Sequence, residues 1–341
     1  MKIKSVVIKE PGQLVIDEHE VAQPLAGEVR VKVQLAGICG SDVHIYRGHN
    51  PFAKYPRVIG HEFFGVIDAV GEGVSADKLG KRVSVDPVIS CGHCYPCQIG
   101  RPNVCKELTV LGVHRDGGFS ESTCVPAGNA HEIADHITDE MAVMIEPFTI
   151  AANICEQLKP TSLDTALVYG AGPMGLTTIQ ALKNVYQVKQ VIVADRIPER
   201  LAMAKACGAD VLIDNTHQPL KDTLSAQGIL PTLIIDAACH PSILDEATRL
   251  ISPAGRIGIM GFSSEPCTIT QQAITSKELT IFSSRLNSNK FPLVISWLNN
   301  QKINPDALIT HKFSINEVET ALAVFEKDQK NCCKVLLEIS K

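Results

Sequence analysis

The sequence predicts an α/β protein in two parts, a strand-rich segment followed by a doubly wound parallel sheet, on the strength of its apolar periodicities and its length. In Val29–Gly37 the apolar Val29, Val31, Val33 and Leu35 alternate with polar Arg30, Lys32 and Gln34, the two-residue period of a strand with one covered face. From about residue 160 the texture changes. Short, almost wholly apolar runs (TALVYG, QVIVAD, DVLID, TLIIDAA, RIGIMGF) alternate with helical stretches such as IPERLAMAKACGA and PSILDEATRLISPAG. Such runs mark parallel strands covered by helices on both faces. At 341 residues the chain is too long for one core, since a domain takes about 100–200.

Further short strands, punctuated by Gly and Pro, fill out the first part. Beyond about residue 285 two helical stretches around FPLVISWLNN and INEVETALAVFEKDQ lead into an apolar strand, KVLLEI, and this tail is read as completing the first domain. The expected domains are therefore 1–150 with 286–341, and 151–285.

Composition narrows the function. A net charge of −5 offers no basic surface to nucleic acid. No uninterrupted apolar run approaches the ~20 residues of a membrane span, and MKIKSVVIKEPGQL carries neither a long apolar segment nor a small-residue cleavage site. The reading is a water-soluble, cytoplasmic protein that binds neither nucleic acid nor membrane. In such a chain twelve cysteines, four of them tightly clustered, point to metal rather than disulfides.

Strand TALVYG runs into GAGPMG, so Gly170, Gly172 and Gly175, with Pro173 and Met174 inside the motif, form G-x-G-x-x-G between a strand and a helix. Gly170 permits the tight turn, Gly172 lets the backbone approach a pyrophosphate, and Gly175 lets the helix pack closely on its strand. The helix amino terminus then faces the phosphates. Twenty residues beyond Gly175, at the end of the next strand, Asp195 is placed to accept from an adenosine ribose and to repel a 2′-phosphate, which favours NAD over NADP. Arg196 tolerates a phosphate and Arg200 approaches the ribose from the following helix, so NADP stays open as a minor alternative.

In CGHCYPCQIGRPNVC, Cys91, Cys94 and Cys97 are spaced by two residues each and Cys105 returns after seven more. This spacing wraps a loop around one tetrahedral zinc and fills every position, which makes the site structural. The lobe is expected at about 88–108, with His93 a solvent-facing bystander. A second set is dispersed: Cys39 in GICGSDVH, His61 and Glu62 in GHE, and Glu146 in EPF. A thiolate, an imidazole and carboxylates can hold zinc with one position left for substrate or water, but nothing in the spacing brings these residues together. Cys124, Cys155, Cys207, Cys239, Cys267, Cys332 and Cys333 have no ligand spacing and read as buried small apolar residues.

GHEFFGVIDAVGEGV follows, at Gly60, His61, Glu62, Gly65, Gly71 and Val74, the signature of the zinc-type medium-chain alcohol dehydrogenases. With Cys39–Asp42, the four-cysteine lobe and the glycine motif in order, the sequence resembles that family along essentially its whole length. It is most similar to the polyol, threonine and sugar-acid dehydrogenase branch and to its starvation-sensing, alcohol dehydrogenase-like group. The resemblance implies a GroES-like, mostly β catalytic domain beside a Rossmann cofactor domain, two zinc ions per subunit, NAD, and a homo-oligomer, tetramer or dimer. It implies that Cys39, His61 and either Glu62 or Glu146 hold the catalytic zinc, the two glutamates exchanging during turnover. Alcohol dehydrogenases proper supply a second cysteine where this chain has Glu146, which makes simple primary alcohols poor candidates.

By the same resemblance Ser41 accepts the substrate proton and His44 passes it to solvent. Asp42 is read either as fixing the tautomer of His61 or as capping a helical turn. The preferred substrate is the C5 hydroxyl of a hexonate such as L-gulonate or L-galactonate, with sorbitol- or threonine-type substrates as the alternative. Arg115 or Arg285 would meet a substrate carboxylate, unless both are ordinary surface charges. A rival of another class is a non-catalytic sensor of NAD or of a metabolite, against which the complete set of zinc and relay residues argues.

Overall fold

The structure, a computed structural model, describes residues 2–340. By internal contacts the chain forms two units, one running to Glu146 and taking in Phe291–Asn299 and the residues from Ile309 onward, the other comprising Pro147–Lys290 and Asn300–Leu308. Where the sequence reading joined 1–150 with 286–341, residues 147–150, 286–290 and Asn300–Leu308 belong instead with the second unit. There the Gln180 side chain accepts from the Asn304 amide at 2.7 Å and donates to its carbonyl at 2.9 Å, a two-point tie that no periodicity announces.

The first unit is built around strand Glu28–Ile38. Its neighbours give the sheet order Ala130–Glu132, Arg82–Val85, Glu62–Val70, Glu28–Ile38, Lys334–Glu338, Ile309–Ser314, with Ser122–Pro126 also pairing Glu28–Ile38. Val29, Val31 and Val33 are fully buried and Lys32 is exposed, as the alternation predicts. The alternation stops at Leu35: Ala36, Gly37 and Ile38 are buried as well, so the carboxyl end of this strand is covered on both faces. A separate three-stranded sheet joins Lys2–Glu10, Gln13–Glu20 and Arg57–Val58. The tail supplies helices Phe291–Asn299 and Val318–Lys327 and strand Lys334–Glu338 as read, and a further strand, Ile309–Ser314. That last strand has no fully buried residue, and a strand without a buried face gives no period-two signal.

The second unit carries six parallel strands in the order Val211–Asp214, Gln190–Asp195, Thr165–Tyr169, Leu233–Asp236, Arg256–Ile259, Thr280–Ser283. Leu167, Ile192 and Ile234 lie fully buried at its centre. The order reverses at Thr165–Tyr169, which opens a crevice at the carboxyl ends of the strands, the switch point of a doubly wound sheet. The sixth strand, absent from the sequence reading, is a half-exposed edge and lacks the apolar run of its neighbours.

Two of the leftover cysteines correct the expectation that all are buried: Cys239 and Cys267 are exposed and Cys124 is half-buried, while Cys155, Cys207, Cys332 and Cys333 are buried. Cys239 stands in the turn that leaves Leu233–Asp236, where the Asp236 carboxylate accepts from the Ala238 and Cys239 amides at 3.1 and 2.9 Å. Its φ of 62° turns it out of the core.

Close approach decides Gly175. A Cβ there would come within 1.9 Å of the Gly170 carbonyl oxygen, so the first turn of helix Pro173–Gln180 rests directly on the strand-ending turn. Gly172, on the open side, has nothing nearer than an Arg200 nitrogen at 4.0 Å. Gly175→Ala is expected to destabilise the second unit by about 1–3 kcal/mol. Gly172→Ala should leave urea or thermal unfolding close to the parent, and equal unfolding curves for the two variants would contradict the contact.

Candidate active site

The ends of three neighbouring strands build a cluster in the first unit. Ile38 closes Glu28–Ile38 and Cys39 follows it. Glu62 opens Glu62–Val70 directly opposite Gly37, with His61 just before it, and Lys334 precedes Val335, which faces Ile38. Ligand atoms of Cys39, His61 and Glu62 all come within 4.8 Å of one another. Gly37 makes the approach possible, because a Cβ there would lie 2.3 Å from Glu62 Oε2.

Cys39 caps the short helix Gly40–Tyr46. Asp42, fully buried, accepts from the Cys39 amide at 2.9 Å and from the Gly60 amide at 3.1 Å, and its Oδ1 lies 3.6 Å from His61 Nδ1. Asp42 thus ties the turn as one sequence reading expected, and it faces the imidazole without a hydrogen bond to it. His61 Nδ1 is buried with no hydrogen-bond partner, and Nε2 has Ser41 Oγ at 3.4 Å. Burial opposes a charged imidazole, but Asp42 and Cys39 outweigh it and raise the pKa of His61 well above its usual value. His44 stands exposed one turn along the same helix.

The sequence reading missed Lys334. Its ammonium is almost completely buried and donates to Glu62 Oε1 at 2.8 Å, Glu62 Oε2 at 2.7 Å and the Ile38 carbonyl at 3.2 Å. Burial works against its charge, yet the carboxylate of Glu62 outweighs that and raises its pKa. Only the spacing of one lysine inside CCKVLLEI marks it, and a lysine at a strand start reads as solvated. Glu146, buried in the first turn of Ile145–Leu158, is not within the 4.8 Å set. The charges of His61, Glu62 and Lys334 nonetheless act on it, and burial first of all pushes its carboxyl up to about 8.

The lobe is local. Cys94 Sγ lies 3.5 Å from Cys97 Sγ and 3.7 Å from Cys105 Sγ, which is 3.5 Å from Cys91 Sγ. Amides of Lys106 and Cys97 hold the Cys94 thiol down to about 6, and Cys91 and Glu107 amides point at Cys105 Sγ at 3.3 Å each. Four sulfurs at that separation, ringed by N–H donors, fit a tetrahedral zinc. His93 is exposed and bonded to the Cys91 carbonyl at 2.8 Å, outside the four-sulfur set, although it also falls in a looser exposed group with Cys91 and Glu107.

In the second unit the crevice holds a cavity of about 300 Å³ lined by Asp195, Arg196, Asn215, Ala238, Ser242 and Glu246 among others. Gly170 adopts a left-handed φ of 89°, as a tight turn requires. Gly172 caps helix Pro173–Gln180, whose first turn carries Pro173 and Met174. Asp195 Oδ2 accepts from the Ala171 amide at 2.7 Å and Oδ1 from the Ile197 amide at 2.8 Å, so the carboxylate that would meet a ribose is locked in place. Asn215 and Glu246 escaped the sequence reading because they follow other strands. Of the two cations considered for a substrate carboxylate, Arg115 is engaged by Glu28 at 2.9 Å and Arg285 lies against the Phe262 ring at 5.8 Å, in the second unit.

Comparison with known proteins agrees with this anatomy. The profile of the alcohol dehydrogenase GroES-like domain matches residues 25–135, and that of the zinc-binding dehydrogenases matches 173–300. The starvation-sensing protein RspB of Escherichia coli K12 is 66% identical over 339 residues, 99% of this chain and all of RspB. L-Galactonate-5-dehydrogenase of the same strain is 32% identical over 96% of this chain and 95% of its own. A crystal structure of RspB from E. coli CFT073 with NADH superposes with a TM-score of 0.97 at 65% identity, covering 99% of each chain. A likeness that spans both units at this level makes the chain a member of the zinc-binding, medium-chain alcohol dehydrogenase family and an NAD-dependent oxidoreductase of that family.

Proposed function

We propose that the enzyme oxidises a secondary alcohol of a polyol or sugar acid, with the C5 hydroxyl of a hexonate such as L-gulonate or L-galactonate as the preferred substrate. In this reading Cys39, His61 and one glutamate hold a catalytic zinc, and Cys91, Cys94, Cys97 and Cys105 hold a structural one. The observation that carries it is the convergence of half-buried Cys39 with buried His61 and Glu62: three protein donors of mixed type would leave a tetrahedral ion one position for a substrate oxygen. The likeness to L-galactonate-5-dehydrogenase supports the sugar-acid class, and the NADH complex of RspB supports the cofactor.

When bound, zinc supplies the Lewis acidity that eases loss of the hydroxyl proton, and the nicotinamide supplies the hydride acceptor. The chain does the rest. Ser41 Oγ, 3.4 Å from His61 Nε2, takes the proton, and the exposed His44 delivers it to water. Asp42 holds the His61 ring in one tautomer. Gly172, Asp195 and Arg200 receive the dinucleotide, with Arg196 beside them. The same reading makes the enzyme cytoplasmic and homo-oligomeric, dimer or tetramer; among the described residues no helix is long and apolar enough to cross a membrane.

Initial rates with NAD should be highest on L-gulonate or L-galactonate and low on sorbitol and threonine. Preference for sorbitol or threonine would move the substrate to the alternative class, and no turnover of any alcohol or ketone by zinc-loaded, NADH-binding protein would favour the sensor. Cys39→Ser or His61→Ala is expected to lower kcat/KM by about a thousandfold, a loss of several kcal/mol of transition-state stabilisation, and to remove one of two zinc ions by atomic absorption. Cys94→Ser should remove the other and lower the thermal midpoint. Ser41→Ala should reduce kcat about a hundredfold with zinc content unchanged.

A further inference from the structure

Resting on the reading that the four cysteines of the lobe hold a zinc ion, we propose that His93 and Glu107, with the Cys91 sulfur, form an exposed entry and exit site through which that ion reaches and leaves the lobe. A ligand atom from each of the three residues lies within 4.8 Å of the other two. Cys91 belongs to both sets, since its sulfur is also 3.5 Å from Cys105 Sγ. His93 and Glu107 are exposed and Cys91 is half-buried, whereas Cys105 is buried. An imidazole, a carboxylate and a thiolate are the donor types that zinc takes from proteins.

The orientation of His93 points to a ligand. Its Nδ1 lies 2.8 Å from the Cys91 carbonyl oxygen. A carbonyl only accepts, so Nδ1 carries the proton and Nε2 keeps its lone pair. A histidine that donates one ring N–H to a backbone carbonyl and offers its other nitrogen is the arrangement found at metal ligands. Glu107 is fixed from the far end of the loop, where its amide donates to Cys105 Sγ at 3.3 Å. The two residues stand in matching places, each two positions beyond the first or the last cysteine of the lobe. An ion held by Cys91, His93 and Glu107 therefore closes the same stretch of chain that the four sulfurs close, and its move inward needs no new loop closure. A saturated four-sulfur site offers an incoming ion no open position, but the shared thiolate gives it one point of attachment. On entry the bonds to His93 and Glu107 break as bonds to Cys94, Cys97 and Cys105 form. The bond to Cys91 is kept, any thiol protons pass to water, and exit runs the same steps in reverse. Four thiolates carry more negative charge than one divalent ion neutralises, which draws the next cation to the exposed side.

The test uses the full-length enzyme with cobalt(II) in the lobe, followed by its thiolate-to-cobalt charge-transfer absorption, which a four-sulfur site gives far more strongly than a site with a single sulfur. Zinc(II) is added in excess and the loss of that absorption is timed. In the parent the rate should rise with zinc concentration and level off as the entry site fills. In His93→Ala and in Glu107→Gln displacement is expected to slow by at least about tenfold. The equilibrium preference of the lobe for zinc over cobalt and the thermal midpoint should both stay those of the parent, because the two residues act on the path and not on the final site. A rate independent of zinc concentration overturns the proposal, since the resident ion then leaves before the next arrives. A slowing of less than about tenfold in either variant, or faster displacement with a lowered thermal midpoint, overturns it as well. Absence of the charge-transfer absorption in cobalt-loaded parent protein would instead sink the reading that the four cysteines hold a metal.

Discussion

The register of three antiparallel strands is the constraint on which the site depends. Glu62–Val70 and Lys334–Glu338 flank the carboxyl end of Glu28–Ile38 so that Glu62 faces Gly37 and Val335 faces Ile38. That alignment sets Cys39, His61, Glu62 and Lys334 together at the ends of three interior strands although they are spread over most of the chain. Because side chains alternate between faces, a slip of one residue in either pairing would turn Glu62 or Lys334 to the opposite face and dissolve the cluster. Val31 and Val33 are buried on either side of the exposed Lys32, and it is this one-sided burial that opposes the slip.

The electrostatics follow from that geometry. Placing an ammonium and a carboxylate out of water is unfavourable for each alone, and removing one partner of such a pair typically destabilises by about 3–5 kcal/mol. Apolar residues of similar size would often stabilise the fold as well or better, so a buried Lys334–Glu62 pair is poorly explained as a source of stability. Its place is set by the strand register, which puts Lys334 beside Glu62 as it puts Asp42 beside His61.

How much of this could be read in the chain depended on distance along it. The four-cysteine lobe, the glycine turn and Asp195 were legible because each is a local pattern: the sulfurs lie between Cys91 and Cys105, and Asp195 ends the strand after the glycine helix. Cys39, His61 and Glu146 were legible only through family likeness, since no spacing joins them. Lys334 was not legible at all. Its charge argued for a solvated position, and only the pairing of the last strand with Glu28–Ile38 buries it. Arg115 was read either as the partner of a substrate carboxylate or as an ordinary surface charge, and Glu28, from a remote strand, already holds it. The exposed Cys239 was misjudged because composition favours buried thiols, whereas the Asp236 turn dictates its direction.

The same contrast separates the two metal positions in kind. The lobe's ligands are close in sequence, so closing that loop around an ion sacrifices little chain entropy, and the sulfurs can complete the coordination on their own. Such a site is saturated and has no room for a substrate. Cys39, His61 and Glu62 come together only once the sheet exists, and backbone amides, Asp42 and Lys334 hold their surroundings from several directions. A site assembled that way need not satisfy the ion by itself. Its incompleteness would be tolerated because folding is driven elsewhere, by the apolar faces of the strands, and that tolerance would leave a coordination position available for chemistry.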